Sequence, residues 1–287
     1  MKISDKWQDY ELIDATDGFR LERWDKVILV RPDPQIVWKT ERKSNLWDKA
    51  HAIYHRSNTG GGSWEQKRSI PQKWKIKYGN LIFNISPTGF KHTGIFPEQA
   101  CNWDEYSKLI KNEDREISVL NLFGYTGGAT LACAEAGAKV CHVDASKGMV
   151  QWGKENAILS GLDKKPIRWL VDDCNKFVAR EQRRGNKYEG IIMDPPSYGR
   201  GPDGEVWKLE DCIDELIKNC IDILSDKPLF FAINSYTSGV SPLVMKYILE
   251  ERLVSKYGGK CDCNEICLPV TVTKGAIPCG STAFWAK

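Results

Sequence analysis

The apolar positions of this chain change rhythm near residue 118. Before that point they alternate with polar ones over short stretches, the period of half-buried strands. Tyr10–Ile13 and Phe19–Trp24 flank Asp17-Gly18, a dipeptide suited to a hairpin turn. Val27–Val30 predicts a third strand, stopped by Arg31-Pro32-Asp33-Pro34, and Gln35–Lys39 a fourth that pairs back. Trp74–Lys77 and Asn80–Ile85 alternate around Tyr78-Gly79 as a second hairpin. A loop over residues 87–100 then leads into a helix around 99–111.

From residue 118 onward, continuous apolar runs alternate with helix-length segments. Strands are predicted at 118–122, 139–143, 167–171, 189–193, 228–233, 263–269 and 281–286. Helices are predicted at 128–136, 147–160, 174–184, 207–224 and 241–256. Short runs apolar throughout suit strands covered on both faces of a parallel sheet. Strand–helix alternation argues for an α/β, Rossmann-like doubly wound fold whose ligands bind at the carboxyl ends of the strands. The last two strands have no helix between them, so they are predicted to form an antiparallel hairpin. The expected organisation is a β-rich lobe over 1–86 and an α/β domain over 87–287.

At 287 residues the chain suits one sizeable α/β domain with an extra lobe. No apolar run approaches the roughly 20 residues that cross a bilayer, and Met1–Asp17 has no apolar signal core. The expectation is a cytoplasmic protein without a membrane partner. Ten cysteines in a long chain without a signal read as core residues, as at Cys133, Cys141 and Cys220, rather than as a disulfide frame. Cys261, Cys263 and Cys267 would share one face of a strand but lack paired C-x2-C spacing, so no metal is assigned.

The net charge of +3 is unevenly spread. Between Lys39 and Tyr78 stand ten Lys/Arg against three acidic residues, and Trp7, Trp24, Trp38, Trp47, Trp64, Trp74 and Trp103 crowd the first third. A flexible tip is expected at Thr59–Ser63. Cations track phosphates and aromatic rings stack on bases, so Lys39–Lys77 can be read as a nucleic-acid surface. The plainer alternative is a solvated β lobe whose tryptophans pack on their own sheet.

Candidate chemistry falls at four consecutive strand ends. Phe123-Gly124-Tyr125-Thr126-Gly127-Gly128 follows the first, a glycine-rich turn running into a helix where a backbone can closely approach a ligand. Asp144 follows the second, about 20 residues on, where an acidic group can hold ribose hydroxyls. Asp172-Asp173-Cys174 follows the third, and an Asp there can accept from an adenine amino group. Asp194-Pro195-Pro196-Ser197-Tyr198 follows the fourth, its prolines fixing a rigid loop. Taken singly, Asp144 or the acidic pair at 172–173 could be a helix cap, and the Asp194 loop a rigid turn.

In order, Asn-Leu-Phe-Gly-Tyr-Thr-Gly-Gly, His-Val-Asp-Ala-Ser, Asp-Asp-Cys and Met-Asp-Pro-Pro-Ser-Tyr resemble the motifs of class I S-adenosylmethionine-dependent methyltransferases. Within that class the set is similar to the bacterial large-subunit ribosomal RNA cytosine-5 enzymes (large-subunit methyltransferase I family), over roughly residues 85–287. Glu98-Gln99 resembles an Asp-Gln pair that precedes the first strand there. The resemblance implies S-adenosylmethionine as cofactor, with Phe123–Gly128 at its methionine moiety, Asp144 on the ribose beside Ser146, and Asp173 and Cys174 flanking the adenine. It also implies Gln99 and Asn102 closing over the cofactor, Asn156 supporting the site, Asp194 and Pro195–Pro196 facing the methyl acceptor, and Tyr198 stacking on a base.

Two departures shape the expected function. Cytosine-5 enzymes of this branch carry a catalytic cysteine after the fifth strand, and here Ala232–Ser238 holds none. The separate N-terminal RNA-binding module of the branch also lacks a counterpart, a β lobe standing in its place. The expectation is therefore a methyltransferase acting on RNA, ribosomal RNA first, at a nitrogen or unspecified acceptor, with room for a homodimer. The rivals are a methyltransferase of a protein or small molecule, a nicotinamide-dependent oxidoreductase, and a non-catalytic RNA-binding module.

Overall fold

Two long strands near the C-terminus carry the chain between two compact units in the computed structural model, which describes residues 1–57, 61–200, 206–237 and 239–287. One unit comprises Ile3–Ala100 with Cys267–Cys279, the other Met1–Lys2, Cys101–Ile266 and Gly280–Lys287. The division thus differs from a single break at 86/87. The tip of the final hairpin belongs with the N-terminal elements, a long-range association that no local pattern encodes. Part of the expected tip, Thr59-Gly60, and Ser238 after the fifth strand lie outside the described residues.

The N-terminal strands are β1 (Lys2–Ile3), β2 (Tyr10–Thr16), β3 (Phe19–Trp24), β4 (Val27–Pro32), β5 (Ala52–Arg56), β6 (Gly62–Gln66), β7 (Trp74–Tyr78) and β8 (Leu81–Ile85). β2 through β6 form a five-stranded sheet in sequential order, and β7–β8 a separate hairpin. The fourth strand expected at Gln35–Lys39 is absent. Asp33 instead accepts from the Gln35 backbone N–H at 3.1 Å, closing an Asx turn after β4. The edge of β4 is taken by β5, in parallel.

Ile13, Leu21, Val30, Trp47 and Ala50 form an apolar cluster in this unit. Beside it lies a buried charged group. Glu22, wholly buried, accepts from Arg31 Nη2 at 2.7 Å and from the Tyr10 hydroxyl at 2.7 Å, while Arg20 pairs with Asp33. Burial opposes the charge on Glu22, but the Arg31 and Arg20 guanidiniums outweigh it and hold its pKa below the ordinary carboxylate value.

The tryptophans take the plainer of the two expected roles. Trp24 and Trp47 are buried, and the indole N–H groups of Trp7, Trp38, Trp47, Trp64 and Trp74 donate to Pro97 O, Ala15 O, Asp14 Oδ2, Thr88 O and Trp24 O. They tie loops to the lobe's own sheet instead of forming a stacking platform. Lys75 and Lys77 of β7 and Lys73 just before it, by contrast, stand exposed at alternate positions.

The second unit opens with α1 (Ala100–Lys111) and then alternates as predicted. Its elements are β9 (Ser118–Leu122), α2 (Gly128–Glu135), β10 (Lys139–Asp144), α3 (Lys147–Leu159), β11 (Ile167–Val171), α4 (Cys174–Arg184) and β12 (Gly190–Met193). A small hairpin follows, β13 (Tyr198–Arg200) and β14 (Val206–Lys208), then α5 (Leu209–Ile221), β15 (Phe230–Ser235) and α6 (Pro242–Leu249). β16 (Lys260–Pro269) and β17 (Ala276–Ala286) end the chain. The helix expected over 241–256 is α6 continued by a π-helical turn, Glu250–Val254.

The large sheet runs β1-β16-β17-β15-β12-β9-β10-β11. β9 pairs in parallel with β10 and β12, β12 in parallel with β15, and β17 antiparallel to β15. The six-residue link between the adjacent strands β16 and β17 is too short for a parallel crossover, so they form the expected hairpin. All residues of β12 and β15 are buried, as continuous apolar runs require. Chain order reverses between β9 and β12, the switch point at which such sheets bind ligands.

Replacing Arg31 with Ala is expected to leave Glu22 charged and unpaired in the N-terminal core and to cost about 3–5 kcal/mol in urea unfolding. The exposed Lys26→Ala control should stay within about 0.5 kcal/mol. Because the folded pKa of Glu22 is depressed, its contribution is present above the ordinary carboxylate pKa and lost as pH falls through the folded value.

Candidate active site

The turn after β9 is bent by unusual backbone. Phe123 and Tyr125 have φ of 55° and 50°, and Gly127, the cap of α2, has φ of 87°. Two non-glycine residues in the left-handed region within three positions mark a turn held open by its surroundings. Its glycines make room for neighbours inside the protein. A Cβ on Gly124 would overlap the His142 ring, and one on Gly128 would lie 2.5 Å from Trp103 Cζ2. Gly153 of α3 is pressed likewise, 2.7 Å from the Trp169 ring.

Asp144, at the end of β10, joins this turn to the next. Its Oδ2 accepts from Tyr125 N at 2.8 Å and its Oδ1 from Ser146 N at 2.8 Å. A carboxylate offers about four lone-pair sites, so each oxygen keeps capacity for one further donor, as a vicinal diol would supply. Burial raises the Asp144 pKa, and the two backbone N–H groups offset only part of that rise. Ser146 caps α3 through Met149 N at 3.4 Å. Asn156, fully buried on α3, donates to the Thr126 carbonyl at 3.0 Å and so holds the turn from the other side.

Asp173 caps α4 through Lys176 N at 2.8 Å, while Asp172 is engaged by Arg180. The buried Cys174 Sγ accepts from Phe123 N at 3.4 Å, linking the third strand end to the glycine turn. Burial pushes the Cys174 thiol far above its usual range, so it stays protonated.

After β12, Asp194 is half-buried and Pro195 buried, whereas Pro196 and Ser197 are exposed and Tyr198, 52% exposed, opens β13. The β13–β14 hairpin was not foreseen. It brings Trp207 opposite Gly199, where the indole Nε1 donates to the Pro196 carbonyl at 2.6 Å and the ring lies 5.8 Å from Phe123.

Two further residues were expected at the cofactor, Asn102 and Gln99. Asn102, fully buried on α1, donates to Thr282 Oγ1 at 2.8 Å and to Asn234 Oδ1 at 3.3 Å, bonding the helix to β15 and β17. Gln99 is buried in the short 3₁₀ turn Pro97–Gln99 of the N-terminal unit.

Beneath the turn lies a network that sequence reasoning missed. The Asn121 amide donates to Thr130 Oγ1 at 2.9 Å, and that hydroxyl shares a second hydrogen bond, of 2.9 Å, with His142 Nδ1. Burial holds the His142 pKa down to about 3, keeping the ring neutral. Its one sequence signal is Asn121, a polar residue inside an otherwise apolar strand.

Residues 51–221 match the family described as S-adenosylmethionine-dependent methyltransferase. A SAM-dependent methyltransferase from Agrobacterium tumefaciens is 36% identical, with a TM-score of 0.92 over 99% of this chain and 93% of that one. A protein described as a methyltransferase and solved with S-adenosylhomocysteine shares the fold at 18% identity, with a TM-score of 0.70 over 98% of this chain and 76% of that one. The ribosomal RNA large subunit methyltransferase K/L of Shewanella frigidimarina is 32% identical over 145 residues, 50% of this chain and 20% of that protein. The chain thus spans about a fifth of the length of that curated relative.

Asp144→Asn removes the charge and one acceptor. S-adenosylhomocysteine affinity by calorimetry should fall about 10- to 100-fold, the loss of one or two bonds to a charged acceptor. Because burial raises the Asp144 pKa, wild-type affinity should also weaken on acidification from a higher pH than for an ordinary Asp, a dependence the Asn variant lacks.

Proposed function

The chain belongs to the family of S-adenosylmethionine-dependent methyltransferases, and from that premise we propose that it methylates RNA, ribosomal RNA in the first place, at a nitrogen presented to the Asp194–Tyr198 loop. The bound cofactor supplies a sulfonium methyl for in-line displacement. The protein's work is then alignment and electrostatics. Asp144 and the strained turn fit a nucleoside diol and its chain, with Asp173 and Cys174 on the base side. The Asp194 carboxylate and the Pro195 carbonyl would accept hydrogens from an exocyclic or ring amine, leaving its lone pair aimed at the methyl. As the acceptor nitrogen gains positive charge and the cofactor loses it, the same carboxylate stabilises the changing distribution.

The observation that carries the nitrogen reading is the acceptor pair that follows β12, the half-buried Asp194 carboxylate and the Pro195 carbonyl. Cytosine-5 chemistry requires a thiolate to add to the ring. Cys174 is held protonated, Cys220 is buried with its pKa well above the ordinary value, and Cys212 lies on α5. The narrower kinship with the cytosine-5 branch is therefore taken for fold and cofactor, not for acceptor atom.

RNA is favoured by the relatives named as ribosomal RNA methyltransferases and by the exposed lysines of β7. Ribosomal RNA would place the enzyme in the cytoplasm, in keeping with the lack of a membrane-crossing helix among the described residues. A homodimer is no part of the proposal.

Methyl incorporation from labelled cofactor into RNA of a strain lacking the gene should fall at least about 100-fold in Asp194→Ala, with S-adenosylhomocysteine affinity changed less than about 3-fold. Unchanged incorporation, or label appearing only in protein or small molecules, would overturn the reading. Replacing Lys73, Lys75 and Lys77 together with Ala should flatten the salt dependence of RNA binding by about 2 in logarithmic slope. An unaltered slope would remove the β7 lysines from the interface.

A further inference from the structure

A second concave site lies in the α/β unit at the end of the sheet opposite the methyl-transfer loops. Its cavity of about 510 Å³ is lined at the amino ends of β9, β10 and β11 by Ser118, Lys139, Val140 and Ile167. The cofactor-side residues Phe123, Asp144 and Asp172 leave the other ends of these strands, about 13 Å away by the rise of a strand.

The lining is strongly cationic. Lys139, Lys165, Arg168 and Lys187 stand against the single carboxylate of Glu181, an excess of +3, equal to the formal net charge of the whole chain. Lys139 pairs with Glu116 just outside, which leaves +2 when that acid is included. That pair is exposed on both sides, so it contributes little and can rearrange.

Glu181 gives the site a built character. Its side chain is fully buried and accepts from Tyr188 Oη at 2.6 Å, Asn186 Nδ2 at 2.8 Å and Arg184 Nη1 at 3.2 Å, with Arg168 Nη1 at 3.8 Å. Burial opposes its charge, but these donors outweigh it and hold its pKa below the ordinary value. One buried anion thus holds two guanidiniums by their inner edges while both side chains remain about half exposed. Lys187 is anchored by donating to the Asp222 carbonyl at 2.7 Å. Lys165, following the turn after α3, is exposed. The planar guanidinium of Arg168 beside the lysines of the lining suits phosphodiester oxygens, which take forked and point-charge donors together. The groove is open, as a passing chain needs.

We propose that this groove binds the phosphodiester backbone of RNA at a position away from the methylated nucleotide. The inference rests on the RNA reading above and extends it to a second surface, so that a structured substrate is gripped at both ends of the sheet. The contact is with backbone and therefore indifferent to sequence.

The test uses the full chain and a large-subunit ribosomal RNA fragment. Lys165→Ala/Arg168→Ala should weaken RNA binding about 5- to 30-fold at moderate salt and reduce the logarithmic salt slope by about 1.4 to 1.8, the release of two phosphate counterions. Thermal midpoint and S-adenosylhomocysteine affinity should be unchanged. Bound RNA should also protect Lys165 from acetylation, read by mass spectrometry, whereas inorganic phosphate at the same phosphate concentration should not. Wild-type binding with an unaffected double variant and an unprotected Lys165 would overturn the groove and leave the RNA reading standing. Equal protection by free phosphate would assign the groove to small anions and overturn the backbone contact. Absence of RNA binding by the wild type would overturn both.

Discussion

The bond from Tyr125 N to the Asp144 carboxylate ties the conformation of the glycine turn to the end of the neighbouring strand. A turn with two non-glycine residues at positive φ would relax if released. It is held from three sides, by Asp144 in front, by Asn156 on the Thr126 carbonyl and by Cys174 on the Phe123 N–H. The groups expected to bind a nucleoside therefore also build the pocket. The hydrogen bonds that Asp144, Asp173 and Ser146 make within the protein are compatible with the ligand roles expected of them, because a carboxylate or hydroxyl that accepts one N–H has lone pairs left.

The network under the turn explains the choice of small residues better than ligand approach alone. Gly124 exists beside His142, and Gly128 beside Trp103. The neutral imidazole, fixed between Thr130 and the Trp169 ring at 4.6 Å, is a stiff floor without charge. A charged floor would repel or trap a cationic cofactor, whereas the low pKa of His142 keeps that influence away at any working pH. On the acceptor side, Trp207 plays a matching part by spending one carbonyl of the proline loop and packing on Phe123. The glycine turn and the proline loop are thus joined by one aromatic pair at the switch point between β9 and β12.

Basic character has a different basis in each unit. In the N-terminal unit Arg20 and Arg31 are partners of the buried Asp33 and Glu22, whereas the ten cations over Lys39–Tyr78 are all exposed. In the α/β unit the buried carboxylate of Glu181 faces inward and its arginines outward. Burying the acid beneath its partners leaves the positive charge of this cationic lining at the surface.

The sequence by itself determined the alternating strands and helices from Ser118 on, because apolar runs of five or six residues between turn residues admit few other structures. It also determined the four strand ends that carry Phe123, Asp144, Asp173 and Asp194, since loop chemistry is local. Tertiary structure decided what depends on partners distant in the chain. The edge of β4 went to β5 because an Asx turn at Asp33 withdrew the segment after it. Asn102 went to Asn234 and Thr282, more than a hundred residues away, since a buried amide takes whatever donors and acceptors the fold brings to it. The indole N–H groups of Trp7, Trp38, Trp47, Trp64 and Trp74 found carbonyls or a carboxylate that only the folded lobe supplies. Trp207 reached the proline loop through a hairpin whose short strands carry too few residues for periodicity to reveal.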